Sequence, residues 1–136
     1  MRILLQAEFA ELERLTNWVA ALRNALRLPE RTAHDVDLCL TELVTNIASY
    51  AYPGGETHKP VEIRASRDGD RLVVEIEDEG VPFDPGAYVL PELPKSLAEA
   101  AIGGRGLRLV RHFSDDIIYR RDGGMNRLTL VFRLAR

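Results

Sequence analysis

The chain has 136 residues, of which 46% are hydrophobic and 29% are charged, and this size fits one globular domain over residues 1–136. The formal charge of -3 comes from 18 basic and 21 acidic residues spread along the chain, which argues against direct nucleic-acid binding and against a membrane-surface patch. No apolar run reaches the length of a membrane span and the start of the chain is unlike a signal peptide, so we expect a cytoplasmic protein. A single cysteine and three histidines without metal-ligand spacing give no support to a disulfide framework or a zinc site.

The first half of the chain predicts one strand and two helices. Ile3–Leu5 indicate a short strand, and apolar residues that recur every three or four positions predict a helix from about Glu8 to Arg27. A second helix should begin at Thr32, whose side chain would cap it in a box-like arrangement with Asp35. Pro53–Gly55 should stop this helix.

The second half predicts two hairpins around a long loop and a short helix. Alternating apolar residues predict strands at 61–65 and 72–76 with a turn at 68–70, and a second hairpin turns at 122–124. The stretch 80–104 contains four prolines and is too long for a plain connector, so we expect a mobile lid. Helices on one face of a mixed, mostly antiparallel sheet make an α+β fold, a two-layer α/β sandwich.

Glu42 and Asn46 lie four residues apart, and therefore on the same side of the second helix. An amide oxygen suits Mg²⁺ when phosphates and waters fill the rest of its octahedron, so Asn46 is a candidate metal ligand. A carboxylate one turn away could take a proton from an attacking hydroxyl, which makes Glu42 a candidate base. Taken alone, this pair is better explained as a solvated helix face.

Asp78 continues the alternation of its strand, which places its carboxylate on the inward face at the mouth of the core. Such a group needs a donor, which the exocyclic amine of a purine would supply, and Gly80 would let the backbone approach the base. A turn-capping aspartate explains the sequence Asp-Glu-Gly equally well.

A glycine cluster, Gly103-Gly104-Arg105-Gly106, precedes the predicted third helix. Free backbone amides and the positive end of that helix would suit a phosphate group. The cluster matches neither a Walker loop nor a dinucleotide fingerprint, and a flexible hinge is the alternative explanation.

Together the three sites resemble the boxes of the Bergerat-type (GHKL) ATPases, and most closely those of the RsbW-like anti-sigma-factor serine kinases. Residues 42–52 are similar to the N box of that family, residues 78–85 to its first glycine box and residues 104–107 to its second. The boxes follow one another in the family's order and spacing over almost the whole chain, which makes a chance resemblance improbable.

The resemblance implies that Glu42 is the catalytic base, Asn46 the Mg²⁺ ligand and Asp78 the reader of adenine. The further ATP-binding residues that it implies are Gly80, Phe83, Gly104, Arg105, Gly106 and Leu107, besides Asn46 and Asp78. Two positions depart from the family pattern: Tyr50 stands where many relatives carry a histidine, and Met125-Asn126 where many begin a strand with threonine.

The resemblance implies an ATP- and Mg²⁺-dependent protein serine/threonine kinase of the partner-switching type. Such a protein binds a sigma factor or a STAS-domain antagonist, and inactivates the antagonist by phosphorylating it. One alternative is a non-catalytic ATP-binding module that sequesters a regulatory partner, which the retained Glu42 disfavours. Another is a detached kinase catalytic domain that serves a separate phosphoacceptor. The absence of histidine from Glu8 to Arg27 argues against a complete sensor histidine kinase.

The first helix also carries a broad apolar stripe, spaced like a heptad seam with Trp18 beside it. Its residues are Leu12, Leu15, Val19, Leu22 and Leu26. Periodicity alone favours a helix used wholly by its own sheet. The resemblance instead implies a homodimer formed through the amino-terminal elements, with the ATP sites facing away from the shared surface.

Overall fold

The computed structural model of the protein describes residues 1–55, 59–86 and 105–134, without the side chain of Arg105. Its elements in chain order are β1 (Arg2–Gln6), a 3₁₀ turn (Phe9–Glu11), α1 (Leu12–Leu26), α2 (Glu30–Tyr50), β2 (Pro60–Asp68), β3 (Arg71–Asp78), α3 (Arg105–Phe113), β4 (Asp116–Asp122) and β5 (Met125–Arg133). Most of the predicted lid falls on 87–104, outside the described residues.

The strands form one sheet in the order β1-β2-β3-β5-β4, and every pairing among the described strands is antiparallel. Along β2, β3 and β5 buried residues alternate with more exposed ones, so one face of the sheet packs into the core. The predicted α+β class, with helices packed on a sheet, is confirmed, but the described strands form an antiparallel sheet where a mixed, mostly antiparallel one was predicted.

The core lies between the inward face of the sheet and the apolar sides of α1 and α2. Its largest buried side chains, each at most 2% exposed, include Leu5, Leu15, Leu22, Leu40, Ile63, Leu72, Ile76 and Leu130. Cys39 is fully buried among them, and burial raises the pKa of its thiol to about 12. Since the thiolate is the reactive form, Cys39 is an inert core residue.

The apolar stripe of α1 faces this core. Leu15, Val19 and Leu22 are at most 3% exposed, while Leu12, Trp18 and Leu26 are partly buried against the same cluster. The stripe is therefore used by the domain itself, as periodicity alone had favoured. No helix in the described part of the chain has the length and apolar character required to cross a bilayer.

The start of α2 differs from the prediction. The helix begins at Glu30, and Pro29 occupies the N-cap position with φ -57 and ψ 148. Proline suits this position because it has no backbone N–H to satisfy and its φ is fixed near this value. Thr32 lies inside the first turn, 8% exposed, and makes no cap, so the predicted capping role of Thr32 is wrong.

The predicted first helix is a 3₁₀ turn followed by α1. Arg27 ends α1 in the left-handed region with φ 53. The guanidinium of Arg67, from β2, donates to the carbonyl oxygens of Leu26 and Arg27 at 3.1 and 2.9 Å. These bonds satisfy helix-end carbonyls that have no partner within the helix.

The β4–β5 hairpin turns through Gly123 and Gly124, with φ of 58 and 78. Both angles lie in the left-handed region that glycine adopts without steric cost, as two-residue hairpin turns require. This tight turn brings the end of β4 and the start of β5 together beside the end of β3, where the candidate site lies.

Candidate functional site

A cavity of about 270 Å³ lies between the carboxyl-terminal half of α2, the end of β3, the hairpin β4–β5 and the first turn of α3. Its walls are mainly apolar. The polar side chains that line it are Asn46, Tyr50, Asp78, Tyr119 and Asn126. An apolar cavity with a few convergent polar groups is the usual form of a small-molecule site.

Asp78 is buried at the end of β3, 6% exposed, as its place in the alternation predicts. Its Oδ1 accepts hydrogen bonds from the backbone N–H of Gly80 at 2.8 Å and from Nδ2 of Asn126 at 3.0 Å. Burial raises the pKa of this carboxyl, while the bonds from Asn126 and Gly80 and the charge of Arg121 oppose the rise. Asp78 therefore caps the turn and also lines the cavity, and its predicted bond to a purine amine stays a prediction.

Asn46 and Glu42 occupy successive turns of α2, and both are half-buried. Asn46 lines the cavity. Glu42 lies against the start of α3, where a Cβ built on Gly106 would stand 2.5 Å from Glu42 Oε2. The absence of a side chain at residue 106 therefore leaves room for the carboxylate, and this contact brings together the first and third motifs of the sequence.

Gly80 is needed where the loop after β3 meets the end of α2. A Cβ there would lie 2.5 Å from the Cβ of Ala51 and 2.9 Å from its carbonyl oxygen. The next residue, Val81, donates its backbone N–H to that same oxygen at 2.9 Å. The close approach that the structure shows at Gly80 is thus to the end of α2, and the predicted approach of its backbone to a base stays a prediction.

The remaining predicted residues divide into two groups. Phe83, half-buried, and Leu107, 5% exposed, line the cavity. Gly104 and the side chain of Arg105 lie outside the described residues. The segment that leads toward them is anchored, because the guanidinium of Arg111 in α3 donates to the carbonyl oxygen of Pro85 at 3.0 and 2.6 Å.

Asn126 was not predicted as a site residue, although it is the most connected polar group at the cavity. It is 6% exposed and lies opposite Asp78 in the β3–β5 register. The alternation of β5 carried the signal, because Leu128, Leu130 and Phe132 are buried and residue 126 falls on the same face.

Among the residues that the structure describes, the site offers Mg²⁺ one candidate ligand, Asn46. The described residues contain no group of three or more His, Cys, Asp or Glu side chains that could hold a metal ion. The amide of Asn46 lines the cavity one turn from Glu42, which fits a cation that takes one protein ligand and fills its other positions with phosphate and water oxygens.

The chain matches a known family over almost its whole length. The family model described as the histidine kinase-like ATPase domain matches residues 5–132. The serine/threonine-protein kinase BtrW of Bordetella bronchiseptica is 35% identical over 119 residues, which cover 87% of this chain and 82% of that protein. The enzyme class predicted from the motifs, a protein serine/threonine kinase, agrees with the name of this relative.

Solved structures share the fold at lower identity. The blue-light activated histidine kinase of Erythrobacter litoralis EL346 is 22% identical with a TM-score of 0.56; the match covers 93% of this chain but 41% of that kinase. The SiaB-SiaC complex from Pseudomonas aeruginosa contains a chain that is 17% identical with a TM-score of 0.59, over 96% of this chain and 88% of that one. The family match, the relative and the shared fold agree with the motif-based recognition: the chain belongs to the histidine kinase-like ATPase domain family.

Proposed function

We propose that the protein is an ATP- and Mg²⁺-dependent protein serine/threonine kinase that phosphorylates a STAS-domain antagonist in a partner-switching pathway. The observation that carries the proposal is the convergence of three side chains. Asn46 and Asp78 line one cavity, and Glu42 stands one turn from Asn46 against the start of α3. The family match and the kinase relative support the same activity.

In the proposed complex the adenine base occupies the cavity, and its amine donates to the carboxylate of Asp78. The phosphates extend along α2 toward Asn46 and the start of α3, where free backbone amides favour anions. Bound Mg²⁺, with Asn46 as its protein ligand, would neutralise charge on the phosphates. Phe83 and Leu107 supply apolar surface to the base.

Glu42 serves as the base of the transfer. A serine or threonine hydroxyl of the partner gives its proton to the Glu42 carboxylate as its oxygen bonds to the terminal phosphorus. The bond between that phosphorus and the bridging oxygen breaks, and ADP leaves. The lack of a side chain at Gly106 leaves room for the carboxylate beside the helix start that would face the phosphates.

The biological setting follows from the same proposal. The protein acts in the cytoplasm as an anti-sigma-type regulator, forms a homodimer, and holds either a STAS-domain antagonist or a sigma factor. The relative named as a serine/threonine kinase and the structural relative found in a SiaB-SiaC complex support a kinase that works with a protein partner.

The test compares Glu42→Gln with the parent protein. The variant should bind ATP with the parent's affinity but transfer no phosphate from labelled ATP to a STAS-domain substrate, because an amide cannot take the hydroxyl proton. Glu30→Gln is the matched control, since Glu30 is exposed at the far end of the same helix.

Undiminished transfer by Glu42→Gln would remove Glu42 from the role of base. ATP binding without any transfer by the parent would instead favour a non-catalytic module that sequesters its partner. Transfer to an unrelated phosphoacceptor and not to STAS domains would identify a detached kinase catalytic domain.

A further inference from the structure

Three polar side chains form a row across the end of the sheet. Asp78 of β3 is paired with Asn126 of β5, and Asn126 is paired with Arg121 of β4. Directly paired residues in a sheet project from the same face, so the row lies on the cavity side with the buried Asp78 and Asn126. Asn126 is its middle member.

The side-chain amide of Asn126 is engaged at both ends. Its Nδ2 donates to Asp78 Oδ1 at 3.0 Å, to the carbonyl oxygen of Val81 at 2.9 Å and, more distantly, to that of Gly80 at 3.3 Å. Its Oδ1 accepts from the hydroxyl of Tyr119 at 2.6 Å and from Nη1 of Arg121 at 3.2 Å. Acceptors surround one end and donors the other, so this network fixes the orientation of the amide.

This network also fixes the carboxylate of Asp78. Its Oδ1 already receives two hydrogen bonds, from Gly80 N and Asn126 Nδ2. Oδ2 is thereby the oxygen that remains for a molecule in the cavity. The loop after β3 is held by the same hairpin, because Arg121 Nη1 donates to the carbonyl oxygen of Gly80 at 2.6 Å.

We propose that Asn126 is a positioning residue that locks the Asp78 carboxylate and the following loop, and thereby sets the preference of the cavity for a 6-aminopurine over a 6-oxopurine. This inference rests on the proposed ATP site. An amino group donates to the free carboxylate oxygen, whereas an oxo group would place an acceptor against an acceptor. A locked carboxylate cannot rotate away from that repulsion, while a loosened one can.

Asn126 also favours the charged form of Asp78. Its hydrogen bond opposes the rise in the pKa of Asp78 that burial causes, as do the Gly80 N–H and Arg121 of β4. The other titratable groups that line the cavity in the described part of the chain are Tyr50 of α2 and Tyr119 of β4. Removal of Asn126 raises the pKa of Asp78 further, so on acidification the variant loses its charged carboxylate, and its ATP affinity, at a higher pH than the parent.

The experiment measures ATP and GTP affinity by calorimetry over a range of pH for the parent, Asn126→Ala and Tyr119→Phe. Asn126→Ala should lower the ATP-to-GTP affinity ratio by about tenfold and raise the pH at which ATP binding is half lost. Tyr119→Phe keeps the ring and the Asn126 amide but removes one donor to it, so a drop in the ratio of about threefold is expected. Ser114→Ala, which removes a buried hydroxyl that does not line the cavity, is the control for a general loss of stability and should keep the parent's ratio.

The affinities of the parent, Asn126→Ala and Tyr119→Phe test the positioning role of Asn126 separately from the proposed ATP site. If Asn126→Ala does not fold, Tyr119→Phe decides, because its change is confined to one hydroxyl. Parental affinity ratios and pH midpoints in the folded variants would overturn the positioning role while leaving the ATP site in place. Equal ATP and GTP affinity in the parent would overturn it as well, and a parent that binds no ATP would overturn the proposed function itself.

Discussion

Asp78 has one of the least favourable positions in the protein for a charged side chain. Desolvation raises the pKa of its carboxyl, which means that burial of the charged form costs free energy. A neutral side chain of the same shape would serve the fold better, since the two hydrogen bonds to Oδ1 need only an acceptor. The proposed ATP site would account for the carboxylate, because a full charge strengthens the hydrogen bond from an amino group.

The substitution Asp78→Asn separates the role of this side chain in the fold from its proposed role in binding ATP. The variant should bind ATP more weakly by roughly 1.5–3 kcal/mol, the usual scale for a hydrogen bond to a charged group, and should be at least as stable as the parent near neutral pH. Calorimetry measures the affinity, and thermal unfolding measures the stability. Parental ATP affinity in a folded Asp78→Asn protein would contradict the assignment of Asp78 to the base.

The stability difference between this variant and the parent should depend on pH. Because the folded-state pKa of Asp78 is raised above its unfolded value, the folded parent binds this proton more tightly than the unfolded chain does. Protonation of Asp78 therefore adds stability as pH falls through the raised pKa, and this contribution is lost as pH rises. Asparagine does not titrate, so the advantage of Asp78→Asn should be largest above the raised pKa and should shrink on acidification. A difference that stays constant between about pH 4 and pH 8 would contradict this.

Gly106→Ala tests the contact between α3 and the proposed base. The added Cβ would lie 2.5 Å from Glu42 Oε2, so the carboxylate must move. Alanine favours a helix over glycine by up to about 1 kcal/mol, so we expect little loss of stability. Phosphate transfer should fall roughly 10–100-fold, since small displacements of a reacting group have effects of this size. Unchanged transfer in the folded variant would mean that this contact does not position Glu42.

At the scale of elements, periodicity was sufficient for the sheet and the helix faces but not for every element end. The alternation of β3 correctly placed Asp78 inward, and that of β5 contained the position of Asn126. The start of α2 was misplaced because Thr32 and Asp35 match a capping pattern, while Pro29 supplies the conformation that begins the helix. A capping pattern is a short spacing of residue types. Residues inside the first turn of a helix can match it as well as the residue that begins the helix.

Contacts between distant elements could not be read from the sequence. The approach of Gly106 to Glu42 depends on how closely α3 packs on α2, and that of Gly80 to Ala51 on the path of the loop after β3. Neither distance can be predicted from the spacing of residues along the chain or from its composition. Gly80 and Gly106 were predicted to be site residues, but the steric reason for a glycine at each position depends on how the elements pack.

Gly80→Ala tests the packing of this loop against the end of α2. The new Cβ would overlap the Cβ of Ala51 at 2.5 Å, and we expect a loss of about 1–3 kcal/mol in unfolding free energy, as for other overpacked contacts, together with weaker ATP binding. Ala51→Gly in the same background removes the nearest atom and should restore part of the loss, while Asp78 Oδ1 at 2.8 Å and the Ala51 carbonyl oxygen at 2.9 Å remain. Additive effects of the two substitutions in urea denaturation would contradict a direct contact.

At the scale of the whole molecule, the free edge of β1 is partly covered by side chains of its own chain. Arg14 Nη2 donates to the carbonyl oxygen of Leu4 at 2.6 Å, and the backbone N–H of Gln6 donates to Glu11 Oε1 at 3.3 Å. Arg14 and Glu11 also bond each other at 2.9 Å. Side chains that occupy the outward polar groups of an edge strand block the addition of another strand. A second subunit at this end of the molecule would therefore contact side chains.

The proposed homodimer has candidate side chains for such a contact. The stripe of α1 packs on the domain's own core, but Met1 before β1, Leu4 on β1 and Phe9 in the turn after it are 45%, 49% and 59% exposed. Exposed apolar side chains at one end of a domain are typical of an interface.

Light scattering of the parent should give about twice the 15.3 kDa of one chain. The double variant Leu4→Glu/Phe9→Glu should give a single-chain mass, because a dimer would bury the new charges. Ile118→Glu is the matched control, since Ile118 is 52% exposed on β4 at the opposite edge of the sheet and should leave the mass unchanged. A parent that stays near 15.3 kDa at micromolar concentration, with or without ATP, would contradict the dimer, and the exposed residues of β1 would then be open to a protein partner of a different kind.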